Sequence, residues 1–276
     1  MSTLSALTLP LEVSLYQDYE YPMVSVILLT WNSAQSLHQT LDSILSQDYP
    51  LYELIVVDAG STDRTLEIIK EFQSEKIHLH TVSVYQWYEM LNKGISQANG
   101  TYICIMFPGD FYLSPFTYKK MMEKALEHNL PHMLYCGTLL RDTRTDVQTI
   151  LRPFSKKILR SGHQPTSLQA CWFHRKIFAL IGKFDDSYQM RGGFEFMCRV
   201  ITQRSLRTVF VRCVLIDSEI RVTTKQEITL HFLENGRAIW HHFGWMTFLF
   251  WLFTQGDTKR LFYLWLRGIK LALLGK

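Results

Sequence analysis

Two short apolar runs near the N-terminus constrain the fold of this chain more than any other feature. The runs Val24 to Leu29 and Leu54 to Val57 are rich in β-branched residues and free of charge. Strands of a parallel sheet covered by helices on both faces have this composition. We therefore expect a β-α-β unit, because apolar residues recur between the two runs at helical spacing, at Ala34, Leu37, Leu41, Ile44 and Leu45.

Polar residues follow both predicted strands. Thr30 and Asn32 follow the first, and Asp58 ends the second. The ligand crevice of such a sheet lies outside the carboxyl ends of its strands, so we expect these three side chains to line one rim. Alternatively, Asp58 only caps the helix that follows it. We also expect Asn32 to cap the first helix, with Gln35 as its reciprocal partner.

Further elements continue the same pattern. A helix is predicted to start at residues 61–63, a third strand at 77–82, and a helix at about 86–98. The buried run at 101–106 reads as a strand, and Phe-Pro-Gly-Asp follows it at 107–110. Asp110 is thus a second acid at a strand end.

Composition narrows the class of protein. The chain has 276 residues, is 47% hydrophobic and has a net charge of +4. It can bury one full core, and nothing in its charge pattern indicates a nucleic-acid partner. Its five cysteines are scattered without C-x-x-C spacing, which is typical of buried thiols in a reducing compartment.

Four sequence strings in this order resemble family 2 glycosyltransferases of the GT-A fold. They are VSVILLTWN, IVVDAGSTDRT, LNKGISQANGTYICIMFPGD, and HQPTSLQACWFHRKIFALIGKFD at 163–185. The resemblance covers roughly residues 22–215 and is similar to the bacterial polysaccharide and lipopolysaccharide branch. It implies an α/β fold with a mostly parallel sheet flanked by helices. We expect a leader at 1–21, the GT-A domain at 22–225, and a helical C-terminal segment at 226–276.

The resemblance implies roles for residues that bind the donor, a UDP- or GDP-linked sugar. Asp58 would bind the nucleobase, since an ionised carboxylate is a hydrogen-bond acceptor that suits a ring N–H. The turn after the first strand would lie beside the nucleoside. The complete expected set is Thr30, Trp31, Asn32, Asp58, Ser61, Glu89, Asn92, Lys93 and Gln164.

The resemblance also implies a Mg²⁺ or Mn²⁺ ion, held by Asp110 against the diphosphate. These cations prefer oxygen ligands and often use one or two protein carboxylates plus phosphates. Here the chain departs from the usual pattern, because Phe107 and Gly109 stand where relatives often have polar or acidic residues. Phe107 is expected to line the sugar pocket instead. Alternatively, Asp110 only caps a turn.

A second departure concerns the catalytic base that an inverting transfer requires. Gly192 and Gly193 stand where acids are expected, and Glu195 is the nearest carboxylate. On a helix Glu195 points about 200° away from Gly193, so it replaces the acid only if this segment is a loop. Asp185 and Asp186 are the alternative. His163 is expected to face the acceptor side and donate to a phosphate or sugar hydroxyl.

The C-terminal segment is aromatic and basic. The run at 239–253 is rich in aromatic residues, but its apolar part at 243–253 is too short to cross a bilayer, which needs about 20 residues. The stretch at 258–276 combines apolar residues with Lys and Arg, which is typical of a helix at a membrane surface. The alternative is a helical hairpin that packs on the domain or forms a dimer.

Two functions are consistent with the sequence. The first is a metal-dependent, inverting glycosyltransferase that adds a sugar to a glycan or lipid-linked acceptor in cell-envelope polysaccharide synthesis. It would act in the cytoplasm, at the inner face of the membrane. The second is a non-catalytic relative that keeps the fold as a binding partner, in which the residues at 107, 109, 192 and 193 mark a lost site.

Overall fold

The computed structural model describes residues 21–83, 85–141, 147–219 and 224–254. The expected leader, apart from Tyr21, and the expected basic helix at 258–276 lie outside the described residues. The expected boundary between residues 225 and 226 falls at the first turn of a helix that packs on the domain.

Strands and helices alternate through the first half of the chain. The strands are β1 (Val24–Thr30), β2 (Tyr52–Asp58), β3 (Ile77–Thr81), β4 (Tyr102–Met106), β5 (Phe111–Tyr112), β6 (Met133–Arg141), β7 (Val147–Ile150), β8 (Cys171–His174) and β9 (Thr208–Glu219). The helices are α1 (Leu37–Leu45), α2 (Thr65–Glu71), α3 (Trp87–Gln97), α4 (Thr117–Glu127), α5 (Lys156–Arg160), α6 (Lys176–Ile181), α7 (Gly192–Thr202), α8 (Lys225–Phe243) and α9 (Trp245–Thr254). The α/β class predicted from the sequence is confirmed.

The strands form one sheet in the order β3-β2-β1-β4-β8-β6-β9-β5, with β7 on the side of β6. The four strands β3, β2, β1 and β4 run parallel. Beyond β4 the sheet becomes mixed, because β8 is antiparallel to both β4 and β6. All parallel strands of the first half therefore end at the same edge.

The core consists of two apolar layers, one on each face of the sheet. In β1, Ile27 and Leu29 belong to the layer with α3, α7 and α8, whereas Val26 and Leu28 belong to the layer with α1, α2 and α4. A strand buried on both faces needs apolar residues at successive positions, which explains the continuous run in the sequence. Gly94 lets α3 lie close to β1, since a Cβ there would lie 2.6 Å from Ile27 Cγ2.

The predicted cap of the first helix is wrong. Helix α1 begins after Ser36, one turn later than expected, and has no side-chain cap. The Asn32 side chain instead accepts a hydrogen bond from the Thr62 backbone N–H at 2.8 Å. The loop after β1 is thus used to bind the loop after β2, and Gln35 has no capping role.

The C-terminal helices α8 and α9 pack against each other and against the layer that contains α7. Helix α8 begins with a capping box, in which Thr224 and Glu227 exchange hydrogen bonds. Among the described residues, no helix is both long and apolar enough to cross a membrane.

Candidate functional site

The carboxyl ends of β1 and β2 bring Thr30 and Asp58 together. The two residues are register partners, and Thr30 Oγ1 donates to Asp58 Oδ2 at 2.8 Å. Ser61 completes the shell, because its backbone N–H donates to Oδ1 at 2.8 Å and its hydroxyl to Oδ2 at 2.6 Å. Asp58 is fully buried. The expected rim exists, and the turn that Asp58 caps is part of it.

Asn32 joins the same rim in a left-handed backbone conformation. Its φ is 45°, a region that Asn tolerates better than most residues. The Asn32 N–H donates to Ser61 Oγ at 2.9 Å, and the next N–H, of Ser33, donates to Thr65 Oγ1 at 2.7 Å. The two loops therefore hold each other in place.

A row of aromatic rings leads from this rim toward a cavity. Trp31 is 45% exposed, and its ring lies 4.3 Å from that of Tyr85. The Tyr85 ring contacts Trp87, which in turn contacts Phe107 edge-on at 5.2 Å. Flat rings exposed beside a polar rim can stack on a base or a sugar.

Asp110 lies at the same edge of the sheet, after β4. Its Oδ1 accepts hydrogen bonds from Ser218 Oγ at 2.8 Å and from the Glu219 N–H at 3.1 Å. Its Oδ2 accepts from Gln169 Nε2 at 2.6 Å. These contacts hold the carboxylate in one orientation, and Gln169 links it to the cavity, which it lines.

The departure at position 109 has a local explanation. Gly109 has a φ of +96°, which residues with a side chain rarely adopt. A Cβ there would also lie 2.9 Å from Glu219 Oε2. On its other side, Arg141 donates to the Gly109 carbonyl at 3.2 Å and pairs with Asp217. An acid at position 109 does not fit this turn.

A cavity of about 490 Å³ opens beside these residues. Phe107 is part of its wall, as expected from the sequence, and Gln164 is the expected site residue that reaches it. Its lining residues are Leu29, Tyr85, Trp87, Tyr88, Leu91, Phe107, Gln164, Ser167, Leu168, Gln169, Gln189, Met190, Gly193 and Glu227. An aromatic wall with a few amide and hydroxyl groups suits a sugar ring, which has apolar faces and polar edges.

Arg191 holds Gln164 in the cavity wall. The guanidinium donates to Gln164 Oε1 at 3.0 Å, to Asn235 Oδ1 at 2.7 Å and to the Gly162 carbonyl at 3.3 Å. Because burial disfavours its charge, the pKa of Arg191 falls to about 10, which still leaves it protonated at neutral pH.

Glu234 of α8 fixes the segment before α7. Its carboxylate accepts hydrogen bonds from the consecutive N–H groups of Gln189, Met190 and Arg191, at 2.7 to 3.0 Å. Gln189 and Met190 line the cavity. Helix α8 therefore shapes the site through a buried carboxylate.

Glu195, the base expected from the sequence, does not line the cavity. It is 5% exposed, and its carboxylate accepts hydrogen bonds from Arg199 Nη2 at 2.8 Å and from His242 Nε2 at 3.0 Å. Burial acts to raise the pKa of Glu195, but the hydrogen bonds from His242 and Arg199 outweigh it and hold the pKa below the usual range. Because residues 192–202 are helical, Glu195 and the cavity-lining Gly193 point different ways, as their spacing predicts.

Four other expected residues also lie away from the cavity. His163 is exposed and its Nδ1 lies 3.1 Å from Ser161 Oγ. Asn92 exchanges two hydrogen bonds with the Phe184 backbone, at 2.8 and 3.1 Å, and so has a structural role. Glu89 and Lys93 are exposed and line a separate hollow on α3.

Sequence reasoning missed three residues that shape the site. Glu234 and Glu227 lie on a helix more than 30 residues after α7 begins, and Gln169 lies in a short 3-10 helix directly before β8. Only the Thr224 to Glu227 capping-box spacing gave a local signal, and that signal marks a helix start.

A divalent cation is the one cofactor that the sequence implies. Within the described ranges, no group of three His, Cys, Asp or Glu residues could hold a metal ion. Asp110 nevertheless offers a carboxylate oriented by three hydrogen bonds, as metal ligands commonly are, and its donor type suits Mg²⁺ or Mn²⁺. These residues fit a cation that takes its remaining ligands from phosphate and water.

Comparisons with known proteins show the family and the fold. The family profile described as Glycosyl transferase family 2 matches residues 25–180. A PGL/p-HBAD biosynthesis glycosyltransferase of Mycobacterium bovis is 28% identical over 203 residues, which are 70% of this chain and 75% of that protein. An uncharacterized glycosyltransferase of Rickettsia typhi is 27% identical over 240 residues, or 82% of this chain and 73% of that protein.

Solved structures share the fold. The S. aureus TarS fragment 1–349 in complex with UDP-GlcNAc aligns with a TM-score of 0.66 at 18% identity, covering 80% of this chain and 66% of that one. The chain thus spans slightly less than two thirds of that fragment. The mannosyltransferase PcManGT from Pyrobaculum calidifontis, in complex with GDP-Man and Mn²⁺, aligns with a TM-score of 0.58 at 18% identity, covering 91% of this chain and 81% of that one.

Proposed function

The chain belongs to glycosyl transferase family 2, and on that premise we propose that it transfers a sugar from a nucleotide-diphosphate donor, with inversion, to a glycan or lipid-linked acceptor in cell-envelope polysaccharide synthesis. The observation that carries the proposal is one sheet edge at which Thr30, Asp58 and Asp110 meet beside an aromatic cavity.

The nucleoside would bind at the rim formed by the loops after β1 and β2. Trp31 offers an exposed ring for the base, and Asp58 supplies acceptor oxygens held by Thr30 and Ser61. Structures of TarS and PcManGT contain UDP-GlcNAc and GDP-Man, respectively, which supports a nucleotide sugar as the donor here.

The diphosphate would lie next to Asp110, with the sugar in the cavity. The Asp110 carboxylate would hold Mg²⁺ or Mn²⁺ together with phosphate oxygens, and such an ion stabilises the charge that grows on the leaving diphosphate. The structure of PcManGT contains Mn²⁺ together with GDP-Man, which supports this assignment. Gln164 and Gln169 line the cavity and would bind sugar hydroxyls. His163 would donate a hydrogen bond to a phosphate or sugar hydroxyl on the acceptor side.

The face formed by α9 and the end of α8 supports a membrane location, and we propose that it lies at the cytoplasmic side. We call it the C-terminal apolar face; its exposed side chains are Trp240, Trp245, Met246, Phe250 and Phe253. Helix α5 packs beside α9 and adds exposed Lys156, Lys157 and Arg160. Aromatic residues bordered by cations suit the interface of a membrane that contains anionic lipids.

The alternative is a non-catalytic subunit that binds a nucleotide sugar or a partner protein. The observation that favours it is the position of Glu195, whose carboxylate is turned away from the cavity. The ordered polar groups at four separate segments favour the enzyme over a subunit that binds only a partner protein, because a site that binds no donor has no need of them.

Thermal unfolding with and without donors tests the proposal. A ligand at 100 times its dissociation constant stabilises a fold by about 2.7 kcal/mol. The melting temperature is expected to rise with UDP- or GDP-linked sugars, and to rise further with Mn²⁺. Unchanged melting with UDP, GDP and their sugar conjugates would contradict the proposed function.

A further inference from the structure

One carboxylate lines the cavity in the part of the chain that the structure describes, and it belongs to Glu227. The same side chain lines an adjoining cavity of about 510 Å³, together with Tyr85, Trp87, Gln189 and Met190. Glu227 therefore lies where the two spaces meet, between the aromatic row and the segment that Glu234 fixes.

The first turn of α8 holds Glu227 in position. Its Oε2 accepts the Thr224 N–H at 2.6 Å, and its own N–H donates to Thr224 Oγ1 at 3.2 Å. No described residue donates a hydrogen bond to Oε1. The hydrogen bonds from Thr224 keep the pKa of Glu227 below its usual value, so this carboxylate is ionised at neutral pH.

Glu219, whose carboxylate lies beside Gly109, does not line the cavity. Three further acids near the site are held by neighbouring groups. Glu195 is bound by Arg199 and His242, Glu234 by three backbone N–H groups, and Asp110 by Gln169, Ser218 and Glu219. All three are buried. A base must reach the proton that it removes, and among these residues Glu227 alone faces open cavity space.

We propose that Glu227 is the general base of the transfer reaction, an assignment that rests on the proposed function. Glu227 removes the proton of the acceptor hydroxyl as the acceptor oxygen forms its bond to the anomeric carbon. The bond between that carbon and the phosphate oxygen breaks on the opposite side, and the nucleoside diphosphate leaves with the electron pair. The carboxylate then returns the proton to water.

The substitution Glu227→Gln tests the assignment without removing the cap, because a Gln amide oxygen can also accept the Thr224 N–H. Turnover is measured as release of nucleoside diphosphate from UDP-N-acetylglucosamine and GDP-mannose with Mn²⁺, with water as the acceptor. We expect kcat to fall about 100-fold or more in the variant. The dissociation constant for the donor is expected to stay within about threefold of the wild-type value, since less than 1 kcal/mol is then lost.

Thr229→Ala is the matched control, because Thr229 is exposed on the same helix and lines neither cavity. It is expected to retain wild-type turnover. Equal losses in Thr229→Ala and Glu227→Gln would show that the stability of α8 matters rather than the carboxylate, and would overturn the assignment. Wild-type turnover that survives in Glu227→Gln would overturn it as well. Failure of wild-type protein to bind either donor would overturn the proposed function itself.

Discussion

Thr30 and Asp58 are direct partners across two parallel strands, and the Thr30 hydroxyl donates to the Asp58 carboxylate at 2.8 Å. With Ser61 they form a buried polar group at the open edge of an otherwise apolar sheet. A buried carboxylate is costly unless its hydrogen bonds are satisfied. This arrangement therefore indicates a preorganised binding rim.

Asp58→Asn is expected to weaken nucleotide binding about tenfold or more, because a hydrogen bond to a charged group contributes about 1.5–3 kcal/mol. The same loss of affinity is expected in EDTA and with Mn²⁺, since Asp58 binds the nucleobase and not the metal. Calorimetric titration with UDP and GDP measures it. Thr30→Val keeps the carboxylate and serves as the control, with a smaller loss expected. Unchanged affinity in Asp58→Asn would contradict the role of the rim.

Asp110→Asn is expected to remove the effect of Mn²⁺ on donor binding while leaving metal-free binding unchanged. The Asn amide oxygen can still accept the hydrogen bond from the Ser218 hydroxyl, but it is neutral and binds a cation poorly. Titration of donor with and without Mn²⁺ compares the two states. Asp217→Asn is the control, because Asp217 is a buried carboxylate nearby that pairs with Arg141. A variant at position 110 that still responds fully to Mn²⁺ would exclude Asp110 as a metal ligand.

Glu195→Gln is expected to lower the free energy of unfolding by about 2 kcal/mol at pH 7, without the loss of turnover expected of a base. Burial raises the pKa of Glu195, but His242 and Arg199 lower it by more than burial raises it. The folded-state pKa therefore lies below the unfolded-state pKa. Its contribution is therefore present above the unfolded-state pKa and is lost as the pH falls through the folded-state pKa.

Urea unfolding at pH 7, 5 and 3 measures the difference in free energy of unfolding between wild type and Glu195→Gln. The gap in stability between wild type and Glu195→Gln is expected to narrow as the pH falls. Glu53, another carboxyl with a lowered pKa, is present in both proteins and cancels in the comparison. A gap that stays constant, or a loss of turnover with unchanged stability, would contradict the structural role of Glu195.

The two glycines at the start of α7 are expected to respond differently to aspartate. A Cβ at Gly192 would lie 2.7 Å from the Tyr88 ring, so Gly192→Asp is expected to destabilise the fold by about 2 kcal/mol. At Gly193 the nearest contact is a Leu168 methyl at 3.3 Å, and Gln164 lies beyond. Gly193→Asp is therefore expected to fold and to present a carboxylate to the cavity.

In the Glu227→Gln background, Gly193→Asp is expected to restore part of the turnover. The donor-turnover assay measures it, with melting temperatures as the check on folding. A folded double variant with no gain over Glu227→Gln would show that a carboxylate in this part of the cavity does not reach the reacting hydroxyl.

The C-terminal apolar face is expected to bind vesicles that contain anionic lipid. Phe250→Ser removes a side chain that is 71% exposed, and it is expected to reduce co-sedimentation with phosphatidylglycerol vesicles severalfold. Phe116→Ser is the matched control, because Phe116 is exposed next to α4, on the opposite face of the sheet. Equal losses in both variants, or no vesicle binding by wild type, would contradict a membrane role for this face.

Local patterns were sufficient to predict the first half of the fold. Strands β1, β2 and β4 and helix α3 follow from continuous apolar runs and helical periodicity, which depend on neighbours in sequence. The predicted cap at Asn32 was wrong, because its side chain binds Thr62 in another loop, and local spacing does not encode that contact. The mixed half of the sheet likewise depends on pairings such as β6 with β9, which lie far apart in sequence.

The site was predictable to a lesser extent. The rim of Thr30, Asn32 and Asp58 follows from the rule that parallel strands end together. The helical geometry of residues 192–202 correctly separated Glu195 from the face of Gly193. Glu227 and Glu234 were missed, because the packing of α8 against α7 places Glu227 at the cavity and Glu234 behind the segment that lines it, and no sequence spacing encodes that packing.

A crystal structure with a bound nucleoside diphosphate and Mn²⁺ tests the central claim most directly. We expect the nucleobase next to Trp31 and Asp58, and the diphosphate and metal next to Asp110, with the β-phosphate directed toward the cavity that Glu227 lines. A nucleotide bound at another edge of the sheet, or a base without contact to the Asp58 rim, would contradict it.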